Sequence, residues 1–139
     1  MTFLDEVGGV PCLERVHKIL YDKLISDPWL KQFFEGFKRW HLEVQQTEFM
    51  ADLFGRKPAL YQGRMPMYGH QHMFIDEEIF MIRHTLLGEA ISEARVSDGL
   101  KERWLDYDMG MKKALVKSSV DECEGRFKTE EVIVIPKPR

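Results

Sequence analysis

The sequence predicts a single all-α domain, on three observations. Apolar residues return at three- and four-residue intervals in one segment after another. Helix-start signals precede most of those segments. Strand-like alternation is absent before residue 131. A chain of 139 residues fits one domain and buries roughly two thirds of its unfolded surface.

The elements follow in order. Val10-Pro11 opens the first long helix, with Pro at a tolerated first-turn position. Leu13, Val16, Leu20 and Leu24 recur on one of its faces. Asp27-Pro28 is a second start signal, Asp as cap and Pro just inside, for a short segment from Trp29 to Phe34 that Gly36 ends. A third helix is expected from Trp40 to Phe54, with Leu42, Phe49 and Leu53 as its stripe and Gly55 and Pro58 as its stop. Lys57 to Gly69 carries Pro58, Gly63, Pro66 and Gly69 and reads as a loop with one short turn. Asp76 caps a long helix with Glu77 and Glu78 in its first turn and Ile79, Ile82, Leu86 and Ala90 on one face. Ser97-Asp98 starts the last helix, whose buried side is expected to run through Leu100, Trp104, Met111 and Leu115. From Asp121 the chain is charged, then reads Val132-Ile133-Val134-Ile135 before Pro136 and Pro138. That run is either a short strand or a tail docked on a neighbour.

Composition excludes some classes of function. The net charge is −3 and the basic residues form no stripe, which argues against a nucleic-acid partner. No apolar run nears the ~20 residues that cross a bilayer. Met1 to Val10 lacks the layout of a signal peptide, so a cytoplasmic location is the expectation. Cys12 and Cys123 form no CxxC pair and read as reduced structural thiols.

Polar residues on apolar faces are the candidates for chemistry. Gln46 falls on the stripe of the third helix, between Leu42 and Phe49. It is either a partly exposed glutamine or a buried amide that must find partners, at a cost of about 1–3 kcal/mol if it does not. Tyr21 lies beside Leu20 and Leu24, near the buried edge of the first helix. Of the five histidines, His17 follows Glu14 by one turn and is expected to face solvent. His84 is placed at the edge of a packed face, and His41 begins the third helix. His70 and His72 follow the broken segment and precede Met73-Phe74-Ile75. No HxxxH or HExxH pair is present, so a mononuclear zinc site has little support.

The order of several short motifs resembles that of the truncated globins of the first group, the two-over-two haem fold. Val7-Gly8-Gly9 is similar to the family's Gly-Gly turn after a very short first helix. Leu20-Tyr21, Asp27-Pro28 and Phe33-Phe34 resemble its aromatic–Tyr pair, its Asp-bearing turn and its Phe-Phe before the distal helix. Gln45-Gln46 and Phe49 keep the distal-helix spacing, and Tyr61-Gln62-Gly63, His70 and Ile75 that of the proximal segment. The resemblance runs over about residues 3 to 118. It departs at Gly55, followed by Arg56 where the family often has a second Gly, and by one extra residue before Tyr61.

The resemblance implies a two-over-two globin domain over residues 1–120 and a C-terminal extension over 121–139. It implies haem b, iron protoporphyrin IX, with His70 as the proximal iron ligand, or His72 or a distal His41 if the register slips. Phe34 would pack on the haem face, Ile75 would close the proximal segment, and Leu42 and Gln45 would line the distal entrance. Phe49 would gate an apolar tunnel. Tyr21 and Gln46 would donate hydrogen bonds to dioxygen at an iron open on its sixth side. Carbon monoxide and nitric oxide would be further ligands. Conversion of nitric oxide to nitrate, or a peroxidase-like activity, would need a separate electron donor. Oxygen sensing or storage without turnover is the rival reading, and a helical bundle without cofactor is the blandest.

Overall fold

The fold starts at Thr2. Its hydroxyl accepts from the Asp5 amide, the Asp5 carboxylate accepts from the Thr2 amide, and the short helix α1 (Phe3–Val7) follows in a computed structural model that describes residues 1–139. Gly8 and Gly9 take positive φ values of 108° and 79°, a region that β-carbons disfavour, and so turn the chain straight into α2 (Val10–Leu24). On α2 Cys12, Leu13, Val16, His17, Leu20, Tyr21 and Leu24 are buried, a continuous stripe at helical spacing.

Asp27 then takes the amides of Trp29 and Leu30 on one carboxylate oxygen, 2.9 and 2.8 Å away, and starts a 3₁₀ turn over Leu30–Phe34. Helix α3 runs Arg39–Leu53. Its core-facing residues are Thr47, Met50 and Ala51, not the expected stripe, and Leu53 is exposed. Leu42, Gln46 and Phe49 share a different face, half-buried at the edge of the core, which borders a cavity. The loop after α3 is organised by Asp52, whose carboxylate accepts from the amides of Leu60 and Tyr61 and from Arg56.

One turn of helix, α4 (Pro66–Gly69), interrupts the loop, as its Pro and Gly content predicts. Helix α5 spans Glu77–Glu93, with Asp76 accepting from the Ile79 amide at 2.8 Å. Its centre of burial lies on Ile79, Phe80, Leu87, Ala90 and Ile91, while Ile82 and Leu86 flank the core half-buried. Helix α6 covers Asp98–Gly110 and does not continue to Leu115 as expected: the chain kinks at Met111 and one further turn, α7 (Lys112–Leu115), follows. A lone 3₁₀ turn, Val120–Glu122, leads into the C-terminal stretch.

The architecture is the two-over-two helical sandwich. Helix α2 packs on α3 and on α5, and α5 packs on α6. Outside the cavity lining, an aromatic cluster joins α1, the end of α3 and α6. Phe54 stands edge-on to Phe3 at 4.7 Å and to Trp104 at 5.1 Å.

His17 is a correction to the sequence reading. It is 1% exposed, and its Nδ1 lies 2.7 Å from the Thr47 hydroxyl, a buried link between α2 and α3. Burial, with a smaller push from Arg83, lowers its pKa to about 3. The folded state therefore refuses a proton that the unfolded chain accepts below its ordinary value of 6.5. Above that value His17 is neutral in both states and has no effect. As pH falls below it, stability should drop by on the order of 1 kcal/mol per pH unit, down towards the folded pKa. Urea midpoints of the wild type and His17→Gln at several pH values check this, the variant showing the shallower decline. Equal slopes would mean that another group carries the acid sensitivity.

The C-terminal stretch is docked. Ile133 forms a single parallel bridge with Met73: its amide donates to the His72 carbonyl at 2.7 Å and its carbonyl accepts from Phe74 at 2.8 Å. The indole of Trp29 donates to the Ile135 carbonyl at 2.9 Å. No helix is long and apolar enough to cross a membrane.

Candidate functional site

A cavity of about 290 Å³ opens between the helix pairs, near the lower bound of about 300 Å³ usual for ligand pockets. Helices α2 and α3 and the 3₁₀ turn wall one part of it. Tyr61, the segment 64–75, α5, α7 and Arg126 contribute to the rest. All eight residues singled out in the sequence line it: Tyr21, Phe34, Leu42, Gln45, Gln46, Phe49, His70 and Ile75. The stripe on α3 that seemed to mark a core is thus the helix's cavity face.

Tyr21 is buried, with its ring edge-on to Phe34 at 5.7 Å. Burial pushes its pKa up to about 12, so the phenol keeps its proton and remains a donor at neutral pH. Gln46 is half-buried and Gln45 exposed at the same wall. Phe49 meets Tyr61 edge-on at 5.3 Å, and the Tyr61 hydroxyl donates to the Arg64 carbonyl at 2.6 Å. Gly63 makes that loop possible: a β-carbon there would lie 2.3 Å from the Tyr61 oxygen.

His70 is placed by α4. The turn's four-residue reach brings both the His70 amide and its ring Nδ1 onto the Pro66 carbonyl, at 3.1 and 2.8 Å. A carbonyl only accepts, so Nδ1 carries the proton and Nε2 carries the lone pair. Burial in the cavity wall, only partly offset by the Pro66 bond, lowers the His70 pKa to about 4. The imidazole is neutral at physiological pH, which is the form that binds a metal.

The other candidate histidines are elsewhere. His72 is 1% exposed but does not line the cavity; its Nδ1 is 3.8 Å from Glu130. His41 is exposed and stands edge-on to Trp40. His84 forms part of a cluster that the sequence reading missed. Its Nδ1 and the Arg83 guanidinium each lie 2.7 Å from a different oxygen of Asp108, which is 1% exposed. Burial opposes ionisation of Asp108, but the Arg83 charge and the bonds from His84 and Arg83 outweigh it and hold the carboxyl below its ordinary value. Arg83 follows Ile79 by four residues and Asp108 follows Trp104 by four, so both charges occupy positions in buried stripes. That pairing of opposite charges on two apolar faces was the available signal.

A single neutral imidazole lone pair, apolar aromatic walls and a protonated phenol suit one metal held from one side in a planar organic ligand. The residues therefore fit a haem that His70 would hold, with Tyr21 of α2 and Gln46 of α3 lining the same cavity.

The sequence profile of the bacterial-like globins matches residues 2–119. The group 1 truncated hemoglobin of Tetrahymena pyriformis is 26% identical over 105 residues, 72% of this chain and 86% of that protein. That of Tetrahymena thermophila is 26% identical over 97 residues, 70% and 79% of the two. Among solved structures, the Fe(III) form of the truncated hemoglobin from T. pyriformis superimposes with a TM-score of 0.77 at 23% identity, over 84% of this chain and 98% of that one. A truncated hemoglobin of Chlamydomonas reinhardtii does so at 0.71 and 24%, over 86% and 98%. With the fold and the profile in agreement, the chain belongs to the bacterial-like globin family and has the truncated-haemoglobin fold.

Proposed function

We propose that this globin holds haem b through His70 and uses it to convert nitric oxide to nitrate. Membership in the family implies haem and, at its iron, diatomic gases such as oxygen. The observation that supports the finer reading is the convergence of Tyr21, Gln46 and His70 on one apolar cavity. Haem, when bound, supplies the iron at which dioxygen and nitric oxide react.

The chain's own residues do the rest. His70 Nε2 would hold the iron, and the Nδ1–H bond to the Pro66 carbonyl orients the ring and strengthens Nε2 as a donor. Phe34, Leu42 and Phe49 keep water from the other side and so slow oxidation. Tyr21 and Gln46 donate hydrogen bonds to a diatomic ligand that carries partial negative charge. Two such bonds at about 1–1.5 kcal/mol each slow oxygen release by one to two orders of magnitude. A slow release suits transport poorly and leaves time for reaction with nitric oxide. One nitric oxide, one dioxygen and one electron give one nitrate ion. The electron would come from a reductase.

Stopped-flow mixing of the oxygenated protein with nitric oxide is expected to give nitrate and the ferric spectrum. Tyr21→Phe should raise the oxygen off-rate at least about tenfold, through loss of a charge-assisted bond. Absence of both nitrate and ferric product would leave storage or sensing as the function. An unchanged off-rate in the variant would remove Tyr21 from the distal site.

A further inference from the structure

We infer that the C-terminal extension is part of the cofactor pocket, and that its Arg126 binds a carboxylate of the porphyrin beside Arg64. The inference rests on the haem reading above and goes beyond it, since the family profile ends at residue 119.

The first observation is a backbone account. The segment 70–75 is irregular, so its carbonyls have no helix to satisfy them. The chain beyond α7 supplies the partners. Lys117 Nζ donates to the carbonyls of His70 and Met73 at 3.1 and 2.8 Å, and its amide to that of Ile75. The Glu124 amide donates to Gln71, and the Ile133 amide to His72. The stretch carrying the candidate iron ligand is thus held from behind by residues 117–133.

The second observation is where that stretch leads. Arg126 lines the cavity, although it lies more than fifty residues from His70 in sequence. Its Nε and Nη2 are held by Glu130, at 3.0 and 2.5 Å, which fixes the plane of the guanidinium. Nη1 is turned the other way, 3.5 Å from the Gly69 carbonyl. Arg64 meets the same residue from another side, its Cβ 3.7 Å from where a Gly69 β-carbon would stand. The Arg126 guanidinium thus lies against Gly69, next to His70, and the backbone end of the Arg64 side chain meets the same residue in the cavity lining.

The third observation is charge. The charged residues lining the cavity are Arg64, Arg83 and Arg126, with no Asp or Glu among them. Arg83 is committed to the buried Asp108, and Arg126 is paired with Glu130 through Nε and Nη2 so that only its Nη1 lies outside the pair; Arg64 makes no ion pair. An apolar cavity whose lining includes Arg64 and Arg126, and no acidic residue, is complementary to a flat apolar ring that carries carboxylates on its edge. A planar guanidinium suits a carboxylate better than an ammonium would.

The test is the rate at which bound haem is lost to an excess of a haem-scavenging apoprotein. It compares wild type, Arg126→Gln and Arg126→Lys, each loaded with protohaem or with protohaem dimethyl ester, whose carboxylates are blocked. Arg126→Gln should speed the loss of protohaem by about fivefold to tenfold, with the lysine variant in between. It should leave loss of the dimethyl ester unchanged. Unchanged loss of protohaem overturns the inference. Equal acceleration of both haems also overturns it, because that is the signature of a loosened extension without carboxylate binding. A wild type that takes up neither haem, seen as the absence of a Soret band, removes the cofactor reading instead and this inference with it.

Discussion

Replacing His70 by glycine is expected to weaken haem binding more than about 100-fold, since groups that merely orient a metal ligand already account for about 10–100-fold. The placement of His70 starts at Pro66. Its ring suits the first position of a helical turn, and that turn ends where the His70 amide and Nδ1 both reach the Pro66 carbonyl. The tautomer is therefore set before any metal arrives, and the Nε2 lone pair is fixed at the cavity wall. In the glycine variant the space of the imidazole is left open, so added imidazole should restore much of the haem affinity and the five-coordinate ferrous spectrum. Absorbance titration of the apoprotein with haem, with and without imidazole, reads both effects. Normal imidazole spectra in the variant without additive would transfer the role to another histidine. His72 would have to leave its place under Glu130 and Ile133 to take it.

How far the sequence spoke for itself depended on how far apart the interacting residues lie. The helix starts were readable because each is a local event: Asp27 and Asp76 accept from amides two or three residues ahead, and Pro11 stands within the first turn of α2. The apolar stripe of α2 was readable for the same reason. On α3 the stripe through Leu42, Gln46 and Phe49 was read as helical and apolar, yet periodicity alone does not distinguish a face against a core from a face against a cavity. The cavity residues came from the order of motifs along the chain, and all of them line the cavity. What stayed hidden depends on partners far away. His17 is buried because Thr47, thirty residues on, meets it. The break between α6 and α7 follows Gly110, a weak local signal inside a strong apolar pattern. The docking of residues 123–135 depends on carbonyls of 70–75 that no pattern in the tail announces.

Asp108 is the clearest case of a hidden partner, and Asp108→Ala should destabilise the protein by about 3–5 kcal/mol, the cost of leaving a buried charge unpaired. Its carboxylate is 1% exposed and holds two groups from α5, Arg83 through one oxygen and His84 through the other, each at 2.7 Å. This is the buried polar seam between α5 and α6; the bond from Lys101 to Ser92 that also joins them is exposed. With the carboxylate removed, the Arg83 guanidinium stays on the wall of an apolar cavity without a counter-charge, and His84 loses its acceptor. The double variant Arg83→Met/Asp108→Leu removes both charges and should recover most of the loss, because the desolvation of two ions disappears with their attraction. Urea unfolding of the wild type and of Arg83→Met, Asp108→Ala and the double variant gives the comparison. A carboxylate that mattered only as one more surface ion pair would cost at most about 1 kcal/mol, and the double variant would gain nothing over Asp108→Ala. The same variants also separate two uses of Arg83. If the pair serves only to join α5 to α6, the stable double variant keeps the oxygen off-rate of the wild type. If the guanidinium on the cavity wall also acts on the bound gas, that rate changes although the fold has been restored.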